Sequence, residues 1–305
     1  MIRFAARRLL LMVPTLWVIA TLTFFMLRLA PGGPFLAERD IPKKAREAMS
    51  RRYGLDQPLG AQYLRFLGNA ARLDLGPSYR RPALQVREIL FQAFPVSLEL
   101  GGLALGWALL TGGALGVLAA HRRNSWLDYL ATSTSLLGVS IPNFVLGPLL
   151  VLVFSLRLYW FPPALWSGWD HKVLPVLTLS AVYTAYIARL TRAGMVETLG
   201  QDFVRTARAK GLSESRVVLA HALRPGLLPV VSYLGPATAG VVTGSVAVES
   251  IFAVPGLGRQ LYTAAINRDY TVVLGAVLFY AALLLVLNLV VDLLYARLDP
   301  RVEEA

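Results

Sequence analysis

The chain has 305 residues, 56% hydrophobic and 16% charged, with a formal net charge of +12 and a mean hydropathy of +0.56. So apolar a balance excludes an ordinary soluble domain of this length. The basic excess reads as Lys and Arg beside membrane spans and not as a nucleic-acid surface, and the absence of cysteine excludes disulfides, thiolate metal sites and thiol nucleophiles.

Arg3, Arg7 and Arg8 precede an apolar run over 9–27, longer than the hydrophobic region of a secretory signal and followed by a poor cleavage site, so it is expected to be a retained first span. Residues 28–95 are too polar to cross a membrane. Helical spacing of Leu59, Tyr63, Phe66, Leu67 and Leu73 predicts a short helix within 57–75, and the mixed stretch 41–55 predicts another. Five more apolar stretches follow, at 96–120, 129–156, 173–190, 228–252 and 272–296, each near the ~20 residues that a helical span requires. In lipid these must be helices, because each backbone N–H and C=O has to be satisfied inside its own segment. The expected fold is therefore all-α and polytopic, with six transmembrane helices.

With the N-terminus inside, segments 1–8, 121–128, 191–227 and 297–305 hold thirteen Lys and Arg, against four in 157–172 and 253–271. That asymmetry predicts both termini in the cytoplasm. The expected organisation is a cytoplasmic N-terminus and first span (1–27), an extracytoplasmic loop (28–95), a five-helix core (96–296) and a cytoplasmic tail (297–305). Pro14, Pro142, Pro148, Pro175, Pro229 and Pro236 fall in spans, as do the Gly pairs 102/106, 112/116 and 240/244, predicting kinked helices in close approach.

No Gly-xxxx-Gly-Lys-Ser/Thr loop surrounds any of the four lysines, Lys43, Lys44, Lys172 and Lys210, so ATP hydrolysis has to come from another chain. His121, His171 and His221 lie in or beside loops, and no His-Glu-xx-His occurs, so no catalytic, cofactor-binding or metal-binding residue is assigned. Glu99, Glu249, Arg189 and Asp292 are expected near the interfaces, within snorkelling reach of water. With no carboxylate relay deeper in the spans, a proton- or sodium-coupled carrier is disfavoured.

Residues 191–227 carry the most information. Met195, Leu199, Phe203 and Ala207 recur at helical spacing, Gly211 can take a left-handed stop, and Ser213 with Glu214 can cap a second helix through Arg216 and His221. These features predict a helix–turn–helix hairpin on the cytoplasmic face, with a plain amphipathic, basic loop as the alternative.

The segment Arg205-Thr206-Ala207-Arg208-Ala209-Lys210-Gly211-Leu212, followed by His221-Ala222-Leu223-Arg224-Pro225 and Pro229, resembles the coupling-loop signature of binding-protein-dependent ABC permeases of the oligopeptide/dipeptide/nickel branch. So do Pro14-Thr15, Arg28-Leu29-Ala30-Pro31-Gly32, Phe94-Pro95-Val96-Ser97, Ile141-Pro142-Asn143-Phe144, Glu249-Ser250-Ile251-Phe252, Pro255-Gly256-Leu257-Gly258, Asn267-Arg268-Asp269-Tyr270, Asp292-Leu293-Leu294-Tyr295 and Asp299-Pro300. Within the branch the chain is most similar to the first of the two permease subunits of oligopeptide importers. Arg205, Thr206 and Ala207 stand where the wider signature has Glu-Ala-Ala, a departure usual in this branch.

The resemblance implies a type I ABC importer permease fold in a bacterial inner (plasma) membrane. It implies a second homologous permease making a heterodimeric pore, two ATP-binding subunits carrying ATP and Mg, and an extracytoplasmic peptide-binding protein. Residues 205–212 would contact an ATPase subunit, and the 28–95 and 249–270 regions would receive the binding protein. The alternatives are the same machine with nickel, glutathione or sugar as cargo, or a stand-alone ion-coupled carrier.

Overall fold

Backbone that must satisfy itself in hydrocarbon becomes helix, and the computed structural model, which describes residues 2–30, 33, 50–51, 53–243 and 245–298, is helical almost throughout. In chain order the helices are α1 (Ile2–Leu29), α2 (Leu59–Ala71), α3 (Val86–His121), α4 (Trp126–Ser140), α5 (Asn143–Arg157, π-helical from Val151), α6 (Trp169–Leu199) and α7 (Asp202–Ala209). They continue with α8 (Glu214–Gly226, π-helical over Val217–Ala222), α9 (Leu228–Thr243), α10 (Val246–Ile251), α11 (Leu257–Ile266) and α12 (Tyr270–Leu298). Among the described residues the β pairing is a single antiparallel bridge, Pro77 with Gln85.

Among the described residues, four stretches are long and apolar enough to cross a membrane: Ala6–Leu29, Val86–His121, Trp169–Leu199 and Tyr270–Val291. Two more qualify only as bent pairs, Trp126–Ser140 with Asn143–Arg157 and Glu214–Gly226 with Leu228–Val241, with Pro142 and Pro229, two of the prolines that predict kinks, at the bends. α4 and α5 meet at 107°, where Pro142 is held extended at φ −61° and ψ 143° and supplies no N–H to continue a helix. α8 and α9 meet at 50°, where Pro229 lacks the N–H that would reach the carbonyl of Pro225. α9 also ends at Thr243, and α10 starts afresh at Val246.

The chain divides into two compact units, Met1–Val96 with Pro255–Ala305, and Ser97–Val254. In the first, Val86, Ile89, Leu90 and Ala93 of α3 form a core with Leu257, Ala264, Val272 and Ala276. A Cβ on Gly275 would stand 2.4 Å from Val86 Cγ1, so glycine lets α12 approach α3. The helix expected within 57–75 is α2, laid on α1 through Phe24, whose ring is 5.4 Å from Tyr63 and 5.5 Å from Phe66. Arg28 caps that stack, 3.8 Å above Phe24, and donates to Gln62 Oε1 at 3.0 Å. Most of 41–55 lies outside the described residues.

Asp269, 3% exposed, organises one edge of this unit. It accepts from the Ser78 hydroxyl, from Tyr79 N at 3.0 Å and from Thr271 Oγ1 at 3.0 Å. Asp269→Ala would leave the Ser78 hydroxyl and the Tyr79 N–H without this acceptor, and is expected to lower stability by about 2 kcal/mol, read as a fall in the thermal unfolding midpoint of the solubilised complex. An unchanged midpoint would contradict that role.

In the second unit α6 is the central strut. Cβ atoms on Gly112 and Gly116 would lie 2.6 Å from Thr184 O and 2.5 Å from Thr191 Cβ, so this glycine pair seats α3 against α6. Gly102 and Gly106 meet nothing within 4 Å. Glu249 does not reach out to water as a snorkelling carboxylate would: it is fully buried, accepting from Ser97 Oγ at 2.8 Å and from the Ser245 hydroxyl. Burial of a carboxylate requires such donors. Glu99 has the expected half-exposed setting, paired with Lys172, and the Asp292 side chain lies outside the description.

Candidate functional site: a seated helical hairpin

The stretch 198–222 folds as two helices around a tight turn. α6 stops at Leu199, and Gln201 is extended at φ −75° and ψ 152° before α7 begins. The break moves the register, so Val204 is fully buried whereas Phe203 is 48% exposed. The predicted stripe Met195, Leu199, Phe203 and Ala207 assumed one uninterrupted helix. Val204 takes the inward place given to Phe203.

Gly211 adopts φ +77°, the left-handed stop that its lack of a Cβ permits, and its N–H bonds Arg208 O at 2.9 Å. Ser213 precedes α8 in the extended conformation but makes no side-chain cap. The clamp comes from elsewhere. Arg208 reaches over the turn to Glu214 with two hydrogen bonds, Nε to Oε2 at 3.1 Å and a terminal nitrogen to Oε1 at 2.7 Å. The Glu214 carboxylate holds the Arg208 guanidinium above its usual pKa.

Beneath the turn, Val204 and Ala207 of α7 pack with Val217, Val218 and Ala222 of α8, with Met195 of α6 and with Ala120 of α3. Of the predicted residues, Ala207 faces this core and Leu212 packs against it, while Arg205, Thr206, Arg208, Ala209, Lys210 and Gly211 are exposed. Two contacts tie the hairpin base to the spans. A Cβ on Gly194 would stand 2.2 Å from Gly226 O, so α6 and α8 touch backbone to backbone. Arg192 of α6 forms a two-point ion pair with Asp128 of α4, at 2.5 and 2.7 Å, and Asn124 N adds a third bond to Asp128 at 3.0 Å. Neither contact shows in residue spacing, since the partners are far apart in the chain.

The hairpin presents a basic surface on a small rigid core wired into α3, α4 and α6. Among the described residues no three His, Asp or Glu side chains come together to hold a metal ion.

In the first unit a polar cleft of about 350 Å³ is lined by Arg80, Arg81, Arg259, Gln260, Asn267 and Asp269, among others. Arg80 Nε donates to Asn267 O at 2.6 Å and Arg81 donates to Gln260 Oε1 at 2.9 Å. Asp269, being buried, leaves the cleft positively charged.

A protein-family model for the binding-protein-dependent transport system inner membrane component matches residues 112–304, which include the whole hairpin. The chain belongs to that family of inner membrane components. Relatives of this inner membrane component extend over its full length. It is 44% identical over 304 residues to the oligopeptide transport system permease protein OppB of Haemophilus influenzae, covering 99% of each chain, and 43% identical over 304 residues to OppB of Escherichia coli, again 99% of each. It is 44% identical over 303 residues to the dipeptide transport system permease protein DppB of Bacillus subtilis, covering 99% of this chain and 98% of that one.

Among solved structures it is similar to an amino acid ABC transporter with histidines, at a TM-score of 0.53 and 18% identity over 70% of this chain and 94% of that one. It is also similar to the inward-facing MetNI methionine ABC transporter, at a TM-score of 0.57 and 17% identity over 71% and 97%. The chain thus shares the all-α fold of these ABC transporter chains.

Proposed function

We propose that this chain is one half of the translocation pore of an ATP-driven importer of oligopeptides or dipeptides in a bacterial inner membrane. The observation that carries this reading is end-to-end identity of 43–44% to oligopeptide and dipeptide permease proteins. A second homologous permease completes the pore, two separate ATPase subunits hold ATP and Mg, and an extracytoplasmic binding protein delivers the peptide. The chain itself is not an enzyme.

The distribution of Lys and Arg supports six crossings with both termini in the cytoplasm, the bent pair α4 and α5 counting as one and the fifth crossing falling within 228–252, after α8. Residues 28–95 then form an extracytoplasmic region, 96–296 the permease core, 191–227 the cytoplasmic coupling loop and 297–305 a cytoplasmic tail. Arg205, Thr206, Ala207, Arg208, Ala209, Lys210, Gly211 and Leu212 form the coupling loop, with Arg205, Thr206, Arg208, Ala209, Lys210 and Gly211 offered to one ATPase subunit and Ala207 and Leu212 holding the core beneath them. That subunit's closure on ATP moves the hairpin as a lever, and the Gly194–Gly226 contact and the Asp128–Arg192 pair pass that movement to the spans.

Ala207→Asp puts a charge into the hairpin core, and Gly211→Pro imposes a negative φ where +77° is required. Both are expected to abolish peptide uptake while leaving peptide capture by the binding protein unchanged, as measured by uptake into proteoliposomes beside equilibrium binding. Normal uptake in both variants would sink the coupling role.

The cleft at Arg80, Arg81 and Arg259 supports docking of the binding protein at the 249–270 region, its positive charge favouring an acidic partner surface. Arg81→Glu is expected to raise the binding-protein concentration needed for half-maximal ATPase stimulation about fivefold, with the effect shrinking at high salt. The same reversal at Arg268, outside the cleft lining, serves as a comparison. An unaltered titration for Arg81→Glu would contradict docking at the cleft.

A further inference from the structure

The first unit holds an apolar groove of about 520 Å³, within the range of small-molecule sites, ~300–1,000 Å³. Leu16 and Trp17 of α1, Leu73 in the loop after α2, Arg87 and Phe91 of α3 and Ala282 of α12 are among its lining residues. Trp17, Leu73 and Phe91 are 54%, 80% and 66% exposed, so the groove opens outward instead of closing into a core. Its lining is apolar throughout except for Arg87.

Two features say what covers it. The first is length. Leu27 packs on the cluster that holds Val86 and Val272, so the end of α1 and the starts of α3 and α12 lie together, with Arg87 in the first turn of α3. From that end, Leu16 and Ala282 lie roughly 15 Å down α1 and α12 at about 1.5 Å per residue. The hydrocarbon of one leaflet, half of a ~30 Å core, has that depth. The second is charge. Arg87 is exposed and makes no ion pair among the described residues, so a cation stands at the headgroup end of a leaflet-deep apolar channel.

We propose that the groove is a binding site for one anionic phospholipid, with an acyl chain along Leu16, Trp17, Phe91 and Ala282 and its phosphate on the Arg87 guanidinium. A guanidinium binds a phosphate through two parallel N–H donors, which a lysine cannot imitate. Trp17 and Phe91 supply the apolar flanks, and a lipid seated there fastens α2 and its loop to α1 and α12.

The test uses the complete transporter in nanodiscs of phosphatidylcholine with graded phosphatidylglycerol, reading retained lipid by mass spectrometry after detergent exchange. Wild type is expected to retain phosphatidylglycerol in preference to phosphatidylcholine. Arg87→Gln should lower that preference about fivefold, the scale of one basic residue at a membrane surface, whereas Arg87→Lys should restore only part of it. Ala282→Trp, filling the deep end, should expel both lipids while the subunits stay assembled.

Because the chain lacks cysteine, a single Phe91→Cys variant reports the occupant by cross-linking. Bonding to another subunit instead of to a thiol-reactive lipid would overturn the proposal. So would retention of phosphatidylglycerol unaltered by both Arg87→Gln and Ala282→Trp. These readouts need no transported cargo, so they stand or fall apart from the peptide-import reading.

Discussion

Gly194→Leu is expected to abolish ATP-coupled uptake and to lower the stability of the permease. A Cβ at residue 194 would stand 2.2 Å from Gly226 O and 3.2 Å from Pro229 Cγ, and one at residue 226 would stand 2.5 Å from Met195 Sδ. The carbonyl of Gly226 belongs to backbone and cannot rotate aside, so even alanine forces α6 and α8 apart. Overpacking of this kind costs about 1–3 kcal/mol per site. Gly102→Ala is the matched control, since a Cβ there meets nothing within 4 Å. Unfolding midpoints and uptake should separate the two variants sharply. Wild-type values for Gly194→Leu would mean that the α6–α8 contact is not as close as described.

Asp128→Asn is expected to cost about 3 kcal/mol, because removing one member of a buried pair strands the other. Asp128 is 3% exposed, and the amide that replaces it keeps its shape but cannot accept both Arg192 bonds. Arg192 retains some access to water, its side chain being 34% exposed, which keeps the loss at the lower end of the range. The double variant Asp128→Asn with Arg192→Gln should be markedly less damaging than the sum of the singles, giving a coupling energy of about 1–3 kcal/mol. Strict additivity would show that the two groups do not depend on each other. Uptake should follow the same order, since this pair holds α6 just before it enters the hairpin.

What could be read from the chain alone was whatever depends on neighbours in sequence. Leu59, Tyr63 and Phe66 announced α2 because a surface helix needs a spaced apolar stripe, and Gly211 announced the turn because its φ is one that few other residues tolerate. The register of the hairpin escaped for the same reason. Gly200 and Gln201 interrupt the helix with no proline to mark it, so uninterrupted helical spacing falls one position short, on Phe203 instead of Val204. The bends at Pro142 and Pro229 were legible as kinks, but their angles, 107° and 50°, depend on what the helices pack against. Contacts made across long separations left no pattern at all. Asp128 with Arg192, Glu249 with Ser97, and Asp269 with Ser78 each look like an isolated polar residue until the fold brings the partner to it.

Peptide-stimulated ATPase activity is the most direct measurement of the central claim. This permease, its homologous partner, the two ATPase subunits and the binding protein would be reconstituted together in liposomes and supplied with peptides. Hydrolysis that rises with peptide, accompanied by peptide uptake and lost when the binding protein is left out, is the predicted result. Stimulation by a metal ion or a sugar with none by peptide would contradict the cargo, and uptake by this chain alone, without ATPase subunits, would contradict its role as half of an ATP-driven pore.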